Sequence, residues 1–365
     1  MDYDGSPMPI EPRESSPDAP HLVFVLPDAG ATVSGGHLYN QHIRLALQAV
    51  GASLETIELD GAAAGIAAAA DGVFIFDSLY LDPESAQQLA RLPLEDCNSI
   101  FLAHHLHSLH PPTGRSADEV FAQVEWPLLR RFRRHWATCS FAAEYLAGRG
   151  IDSRSIVTVE PAWAGEPNAS GDPIHHEPVH EPPRALVVAN LVERKGVLEL
   201  LRELRDANEL HPLPAFELRI LGGDLEPDYA ARCRAVVAAD PALSERVKFA
   251  GAVPPSTMPD EYRRADLLVA VAAMETFGMA LQEAAASGLP LFIRKGGYSA
   301  RHLLAGGAGE VHDTVADLVR ALIAALEDGA HLAELKRAAN ASRPATRSWS
   351  DAAKSLLDQL AKNPL

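Results

Sequence analysis

The sequence predicts an α/β protein built of two doubly wound domains in tandem, each a parallel sheet with helices on both faces. Three observations lead to this prediction. The chain has 365 residues, which is more than one ordinary hydrophobic core holds. Short apolar runs alternate with segments of helical periodicity, the pattern of parallel strands joined by crossover helices. The alternation stops once, at a proline-rich stretch near the middle of the chain, and then restarts.

Strands are expected at six apolar runs in the first half: HLVFVLPDAG, ASLETIEL, DGVFIFDSL, NSIFLAHH, RHWATCS and RSIVTVEP. Continuous runs of this kind are typical of strands buried on both faces of a parallel sheet. Helices are expected between them, at GGHLYNQHIRLALQAVG, DPESAQQLARL, VFAQVEWPLLRRFRR and SFAAEYLAGRG. Asp82 or Ser85 is the expected N-cap of the second helix.

The same alternation continues in the second half of the chain. Strands are expected at RALVVANL, FELRILGG, RVKFAGAV, DLLVAVAA and LPLFIRK. Helices are expected at GVLELLRELRDAN, PDYAARCRAVVAAD, MPDEYRRA, FGMALQEAAASG, VADLVRALIAALEDG, HLAELKRAAN and SWSDAAKSLLDQLAKN. A serine is the expected cap of the last helix.

Proline content sets the expected domain boundaries. Residues 1–20 hold five prolines and predict a disordered tail. Residues 161–183 hold six and predict an interdomain linker. We therefore expect one doubly wound domain over 21–160 and a second over 184–345. A C-terminal helix over 346–365 follows, and its return to the first domain is left open.

Composition excludes several classes of function. Lys and Arg number 32 against 49 Asp and Glu, a net charge of −17, which argues against nucleic acid or anionic lipid as a main partner. The three cysteines are far apart and form no CxxC pair, so we expect neither a disulfide framework nor a thiolate zinc site, and the pattern fits the cytoplasm. No signal peptide or apolar run of the ~20 residues that a membrane helix needs is present.

The stretch AMETFGMALQEAAASGLP, Ala273 to Pro290, carries the main chemical signal. A predicted strand ends before it, and a helix is expected to begin near Phe277. Free backbone N–H groups and the positive end of the helix dipole make such a turn an anion site, and Gly278 allows a ligand close to the backbone. Glu275 and Glu283 flank this turn and are suitable acceptors for the paired hydroxyls of a sugar or a ribose. A phosphate between two diol acceptors matches a nucleotide-sugar.

ETFGMALQEAAASGLP resembles the E-x7-E region of retaining glycosyltransferases of family 4, which have the two-domain GT-B fold. VVANLVERKGVLELL, the segment RVKFAGAVPPSTMPDEYRRADLLVAVAA before the motif, and GLPLFIRKGGYSARHLL after it are similar to that family in the same order. In the first half, SGGHLYNQ resembles the glycine-rich loop after the first strand, and WATCSFAAEYLAGRGI the late strand–Ser–helix unit. The resemblance is more specific in the second half of the chain than in the first.

The resemblance implies roles for four charged residues. Lys195, with Arg194 beside it, would neutralise the diphosphate leaving group. Glu283 would hold the ribose, and Glu275 the transferred sugar. Lys195 also follows a predicted strand within a Lys-Gly turn, a position that suits a phosphate contact independently of the resemblance, although a solvated loop charge is the alternative.

The remaining donor contacts implied by the resemblance involve the backbone. Phe277, Gly278 and Met279 would offer N–H groups around the diphosphate and the sugar. Val253 would lie near the base. Gly36 would bring a backbone N–H to the phosphate from the first domain.

Histidines provide a second signal. AHHLHSLH places four of them directly after a predicted strand of the first domain. Related transferases use a histidine at this strand end to reach the donor sugar, and either His104 or His105 fits that position. His107 and His110 are expected to be solvated. A metal site is the least favoured interpretation, because no carboxylate completes the set of ligands in this run.

Two positions depart from the family pattern. Asn190 stands where the family usually has an arginine, so Arg194 would supply that charge or phosphate binding would be weaker. The family often has an acid after the later Gly-Gly, where this chain has GGYSARHLL with Arg301 nearby. The D-x-D triplet Asp2-Tyr3-Asp4 lies in the predicted disordered tail and none occurs in the predicted domains, so a metal-bridged diphosphate is not expected.

The sequence therefore predicts a cytoplasmic GT-B enzyme that moves a sugar from a nucleoside-diphosphate sugar to a small soluble acceptor, with retained configuration and no metal or cofactor. The first domain would bind the acceptor and the second the donor, with the ligands in a cleft between them. Two alternatives remain open, a GT-B sugar-nucleotide epimerase and a non-catalytic nucleotide-sugar binding protein. A histidine-metal hydrolase is a more distant alternative. The base, sugar, acceptor and oligomeric state are not predicted.

Overall fold

The computed structural model describes residues 20–27, 34–69, 71–162, 179–304, 308–344 and 347–362. The chain divides into two compact units, Met1–Ala164 with Arg347–Leu365 and Gly165–Thr346. Nearly all of the predicted tail over 1–20 and most of the predicted linker over 161–183 lie outside the described residues. No helix in the described ranges is both long and apolar enough to cross a bilayer.

The first unit contains a six-stranded parallel sheet, in the order β2-β1-β3-β4-β5-β6. Its strands are β1 Leu22–Val25, β2 Leu54–Ile57, β3 Val73–Asp77, β4 Asn98–Ala103, β5 Arg134–Ala137 and β6 Ile156–Thr158. Strands β1 and β3 are buried along their whole length, whereas β2 at the sheet edge is not. The continuous apolar runs therefore predicted these strands correctly, because a strand that is buried on both faces carries apolar side chains at nearly every position.

Within the described residues, six α-helices surround this sheet before the chain leaves the unit. They are α1 Gly35–Ala49, α2 Ala62–Ala68, α3 Pro83–Leu89, α4 Ala117–Val120, α5 Trp126–Leu129 and α6 Ser140–Gly148. Asp82 is the N-cap of α3, because its carboxylate accepts the N–H groups of Glu84 and Ser85 at 3.0 Å each. The single helix predicted over VFAQVEWPLLRRFRR is instead α4 and α5 joined by a π-helical turn, Phe121–Glu125, with a proline in the first turn of α5. Proline lacks the N–H that a continuous α-helix needs there.

The second unit repeats the arrangement with the sheet order β12-β11-β10-β7-β8-β9, again all parallel. Its strands are β7 Arg184–Val188, β8 Glu217–Leu221, β9 Val247–Gly251, β10 Leu267–Ala270, β11 Leu291–Arg294 and β12 Gly309–His312. The edge strand β12 was not predicted, since GEVH is short and only partly buried.

Eight α-helices belong to the part of the second unit that the structure describes. They are α7 Val197–Leu210, α8 Pro227–Ala239, α9 Pro241–Arg246, α10 Met258–Arg263, α11 Met279–Ala286, α12 Arg301–Leu304, α13 Val315–Glu327 and α14 Gly329–Ala341. Helix α11 begins at Met279 and not near Phe277, because Gly278 has a φ of 87° and is the residue before the helix. The core of this unit is aliphatic, with Leu200, Leu201 and Leu204 of α7 fully buried in it.

The last helix, α15 Trp349–Lys362, packs within the first unit. Ser348 caps it by accepting the N–H of Asp351 at 3.1 Å. The Trp349 ring meets the Tyr39 ring edge-on, with centroids 5.3 Å apart. The Gln359 amide exchanges two hydrogen bonds of 3.1 Å with the backbone of Thr158 in β6. Helix α15 therefore extends the first unit beside its outermost strand.

Each sheet has one point at which the strand order reverses. The reversal lies between β1 and β3 in the first unit and between β7 and β10 in the second. In doubly wound folds, ligands bind outside the carboxyl ends of the strands at such a point, because the loops on either side diverge and leave a crevice. These two edges are where the predicted site residues should be sought.

Candidate functional site

Lys195 and Glu275 meet at the strand reversal of the second unit. Lys195 follows β7 and Glu275 follows β10, so two distant segments are brought together by neighbouring strands. The Lys195 Nζ lies 2.5 Å from the Glu275 Oε1. Their side chains are 19% and 16% exposed, which leaves the pair partly shielded from water but open at one side. A pair in this position can exchange its internal contact for contacts to a ligand that carries both anionic and hydroxyl groups.

A glycine permits the turn that carries Lys195. Residues Glu193–Lys195 form a 3₁₀ turn that ends at Gly196, whose φ is 71°. A Cβ on Gly196 would lie 2.7 Å from the carbonyl oxygen of Val271, just after β10. Only glycine allows the lysine turn to lie this close to the loop that leads to Glu275.

The N-terminus of α11 lies directly after Glu275. Within the described residues, the backbone N–H groups of Phe277, Gly278 and Met279 donate no hydrogen bond. The Phe277 carbonyl is fixed by His302, whose Nε2 lies 2.7 Å from it. The rings of Tyr298 and His302 each pack 5.0 Å from the Phe277 ring. The free donors are therefore held on a rigid turn, which is the arrangement that binds phosphate at helix N-termini.

Sequence reasoning missed His302 and Tyr298. Both follow β11, and their role depends on the contact between that loop and the loop after β10. An isolated parallel bridge joins Glu275 to Gly297, and the Tyr298 N–H donates to the Glu275 carbonyl at 2.8 Å. The GGYSARH segment signals only a turn and a short helix, so no local pattern could have shown these contacts.

Glu283 lies on α11, just over one turn from its start. The Tyr262 hydroxyl donates a hydrogen bond to the Glu283 Oε2 at 2.7 Å. Burial raises the pKa of Glu283 to about 7, and the hydrogen bond from Tyr262 offsets part of that rise. Tyr262 on α10 is fully buried, and sequence reasoning missed it as a partner of the acid. A carboxyl group with this pKa changes its charge near neutral pH and, when ionised, accepts the two hydroxyls of a diol.

Arg194 and Val253 lie at the margin of this site. Arg194 is exposed beside Lys195 and takes no part in the ion pair with Glu275. Val253 follows β9, the edge strand that lies two strands away from β7. The described structure does not join either residue to Glu275 or Glu283, and their donor contacts remain predictions.

Asn190 has a structural contact that accounts for an amide at this position. Its side-chain oxygen accepts the N–H of Gly223 at 2.8 Å, which ties the loop after β7 to the loop after β8. An arginine has no acceptor for this bond. The hydrogen bond from the Gly223 N–H therefore explains why Asn190 departs from the family pattern.

His104 stands at the corresponding edge of the first unit. Its Nε2 lies 2.9 Å from the Asn40 Oδ1 and 3.4 Å from the Asp77 Oδ2. Asn40 is on α1 and Asp77 ends β3, so the three residues come from separate segments. His105 contributes its backbone N–H, 3.4 Å from the Ser78 Oγ. The contact with Asn40 and Asp77 distinguishes His104 from His105, which sequence spacing did not.

Gly36 lies against His104. Gly36 lies in the first turn of α1, as the helical pattern GGHLYNQHIRLALQAVG predicts, although the resemblance implied a glycine-rich loop there. Ser34 caps this helix by accepting the His37 N–H at 3.4 Å. A Cβ on Gly36 would lie 3.4 Å from two atoms of the His104 ring. Gly36 and His104 are thus neighbours at the strand reversal of the first unit. Among the histidines after β4, His107 and His110 are exposed.

The described residues contain no group of three or more His, Cys, Asp or Glu side chains arranged to hold a metal ion. The four histidines after β4 do not converge on one point.

Comparison with known proteins agrees with this fold. Residues 172–342 match the family model described as Glycosyl transferases group 1. Sucrose-phosphate synthase of Thermosynechococcus elongatus is similar in structure, with a TM-score of 0.68, 16% identity, and coverage of 94% of this chain and 98% of that chain. HepE of Anabaena in complex with UDP and glucose has a TM-score of 0.66, 14% identity, and coverage of 94% and 100%. A glycosyltransferase of Rickettsia africae has a TM-score of 0.62, 12% identity, and coverage of 94% and 97%. No curated protein sequence matches the chain.

The structural similarity and the match to the family model together define a glycosyltransferase with the GT-B fold. Lys195, Tyr262, Glu275 and Glu283 all lie within residues 172–342, the part of the chain that matches the Glycosyl transferases group 1 model.

Proposed function

We propose that the chain transfers a hexosyl group from a nucleoside-diphosphate sugar to a soluble acceptor, with retained configuration, as family 4 transferases do. The observation that carries the proposal is the second-unit edge. A lysine paired to Glu275, a helix N-terminus with free N–H groups and the half-buried acid Glu283 follow one another there. HepE of Anabaena, similar in fold, is known in complex with UDP-glucose, which supports a donor of this class.

The lysine and the helix N-terminus bind the diphosphate. Lys195 exchanges part of its contact with Glu275 for a phosphate oxygen, and the N–H groups of Gly278 and Met279 donate to the same group. Negative charge on the diphosphate grows as the bond to the sugar breaks, so these donors stabilise the transition state more than the bound donor. Positive charge and backbone donors take the place of a metal ion, and transfer continues in the presence of a chelator.

The two glutamates bind hydroxyls. Glu283, in its ionised form, accepts both hydroxyls of the ribose, while Tyr262 holds the carboxylate in place. Glu275, released in part from Lys195, accepts hydroxyls of the transferred sugar. Both acids are needed because a neutral side chain of similar size cannot accept two hydrogen bonds with equal strength.

Transfer follows a same-face route. The bond between the anomeric carbon and the diphosphate oxygen breaks, and the acceptor hydroxyl forms its bond to that carbon on the same face. The hydroxyl proton passes to an oxygen of the departing phosphate. No covalent enzyme intermediate is formed, and Lys195 stays in contact with the diphosphate as it departs.

A nucleotide-binding screen tests the donor site. UDP, GDP, ADP and TDP are titrated by calorimetry, with chelator present, into wild type, Glu283→Gln and the control Glu334→Gln, an exposed acid on α14. We expect one nucleotide to bind wild type and the control equally and Glu283→Gln at least ~10-fold more weakly, the range of a hydrogen bond to a charged group. If no nucleotide binds wild type, or if Glu283→Gln binds normally, the donor site is wrong.

Product analysis tests the reaction. The sugar form of the nucleotide that binds is incubated with candidate acceptors, and the anomeric configuration of the product is read by NMR. Release of nucleotide that depends on acceptor, with retained configuration, supports the proposal. Conversion of the donor sugar without an acceptor would identify an epimerase, and tight binding without turnover a binding protein. Acceptor activity confined to anionic liposomes would contradict a soluble acceptor.

A further inference from the structure

A buried polar network supports the His104 ring. Asp77, at the end of β3, is fully buried. Its Oδ1 accepts the N–H of Leu79 at 2.8 Å, and its Oδ2 accepts a hydrogen bond from the side-chain NH₂ of Asn40. A carboxylate is an acceptor only, so the Asn40 amide must turn its NH₂ group toward Asp77. Its carbonyl oxygen then points the other way.

The orientation of the amide decides which nitrogen of His104 carries a proton. The Asn40 Oδ1 lies 2.9 Å from the His104 Nε2, and the Asp77 Oδ2 lies 3.4 Å from it. Both neighbours are acceptors, so the Nε2 is the donor. A neutral imidazole has one N–H, and the Nδ1 is therefore left with a free lone pair. Within the described ranges, the Nδ1 forms no hydrogen bond.

The ring cannot easily leave this position. The backbone N–H of His104 donates to the Ser78 Oγ at 3.0 Å. The Tyr39 ring meets the imidazole edge-on at 5.1 Å, and the first turn of α1 at Gly36 covers another side of it. The His104 side chain is 9% exposed, so only a small part of the ring remains open to a ligand.

We infer that Asn40 and Asp77 are positioning residues that hold His104 with its proton on Nε2 and present the Nδ1 as a hydrogen-bond acceptor. The lone pair at Nδ1 takes a hydroxyl of the donor sugar and does not attract a phosphate or a carboxylate. The identity of that ligand rests on the proposed function, whereas the tautomer follows from the network alone. Neither Asn40 nor Asp77 touches the sugar; each acts through His104.

The tautomer is measured directly by NMR. The protein is labelled with ¹⁵N-histidine, the imidazole correlations are recorded at a pH where His104 is neutral, and the His104 signal is assigned by its loss in His104→Gln. We expect the Nε2–H form alone in wild type. In Asp77→Asn, the Asn40 amide is free to turn, so a mixture with the Nδ1–H form should appear. A wild-type signal from the Nδ1–H form or from an equal mixture would overturn the inference, and that result does not depend on any variant at Asn40 or Asp77.

Kinetics separate positioning from a general structural role. We expect Asp77→Asn to lower kcat with the nucleotide-sugar by about 10- to 100-fold, the range found when the partner of a functional histidine is removed. Binding of the nucleoside diphosphate alone should stay unchanged, as should both values in the control His107→Gln, whose side chain is exposed. Equal loss of nucleotide binding, or unchanged kcat, would contradict the role of Asp77. If wild type binds no nucleotide, the proposed function fails while the tautomer result stands.

Discussion

The carboxyl edges of the two sheets differ in the kind of contact that they offer. The edge of the second unit offers charge, with Lys195 paired to Glu275 and a helix N-terminus beside them. The edge of the first unit offers the His104 ring, since Asp77 is buried beneath it and the hydrogen bonds of that carboxylate are taken by the protein. The edge of the second unit therefore suits an anionic group of a ligand, and the edge of the first unit a hydroxyl group.

The same difference explains why one edge was easier to predict. Glu275, Gly278 and Glu283 lie within nine residues, so their closeness in the chain alone brings them to the start of α11. Asn40, Asp77 and His104 lie on three segments separated by dozens of residues. A site made from one segment leaves a pattern in the sequence, whereas one made from three needs the sheet order first.

The largest expected effect is that of Lys195→Ala. The change removes the positive charge at the diphosphate and leaves Glu275 without its partner, so we expect kcat/KM to fall by about 10²- to 10³-fold, the range for loss of one preorganised electrostatic contact. Steady-state kinetics with the nucleotide-sugar measure it.

Lys295→Ala is the matched control for this change. Lys295 follows β11 in the same unit, is 66% exposed, and lies 3.6 Å from the exposed Asp313, a surface pair of little energetic value. The kcat/KM of Lys295→Ala should equal that of wild type. An equal loss in both variants would show that the charge of the unit as a whole matters, and not the pair at the strand reversal.

A smaller effect is expected from Tyr262→Phe. The variant keeps the buried ring but removes the hydrogen bond to Glu283, which raises the pKa of the acid further and leaves its carboxylate less well held. A hydrogen bond to a charged group contributes about 1.5–3 kcal/mol, so we expect nucleotide binding at neutral pH to weaken by roughly 10- to 100-fold.

Calorimetry on folded protein measures this loss. Tyr229→Phe is the control, because that buried hydroxyl accepts the N–H of Leu198 far from the acid. Wild-type affinity in Tyr262→Phe would mean that Glu283 binds the ribose without help from α10.

The pH dependence of nucleotide binding follows from the raised pKa of Glu283. Only the ionised acid accepts two hydroxyls, and its pKa in the free protein is about 7. Affinity should therefore be nearly constant above pH 8 and fall about tenfold for each pH unit well below 7, with the proton released as the ligand binds. Titrations in buffers of different ionisation enthalpy measure that proton, and Glu283→Gln should lose both effects. A wild-type affinity that stays flat between pH 6 and 8 would contradict the assignment.

Much of the fold could be predicted from the sequence, and the misses share a cause. Buried parallel strands such as β1 and β3 leave long apolar runs, and the helix cap at Asp82 is a local signal. Strand β12 and helix α9 are short, so tertiary contacts decide them. At the site, Tyr262 and His302 were missed for the same reason: each acts on a residue from another segment.

The smallest effects are expected from alanine substitutions at two glycines, one at the carboxyl edge of each sheet. Gly278 has a φ of 87°, and a Cβ there would lie 3.0 Å from the Leu281 Cδ1. We expect Gly278→Ala to lower the free energy of unfolding by about 1–2 kcal/mol, because an L-residue is strained in this conformation. Thermal melts measure this as a fall in Tm of a few degrees.

Gly36 should behave in the opposite way. It lies within α1 without a positive φ, and a Cβ there would make only ordinary contact, at 3.4 Å, with the His104 ring. Gly36→Ala should therefore keep the wild-type Tm, since alanine is the better helix former. If the Gly36 N–H contacts a phosphate of the donor, as the resemblance implies, the added methyl group should also weaken binding of the nucleotide-sugar. Equal losses of Tm in the two variants would show that the backbone conformation requires glycine at both positions. A Gly36→Ala protein that binds the donor as tightly as wild type would remove Gly36 from the donor site and leave His104 as the contact of the first unit.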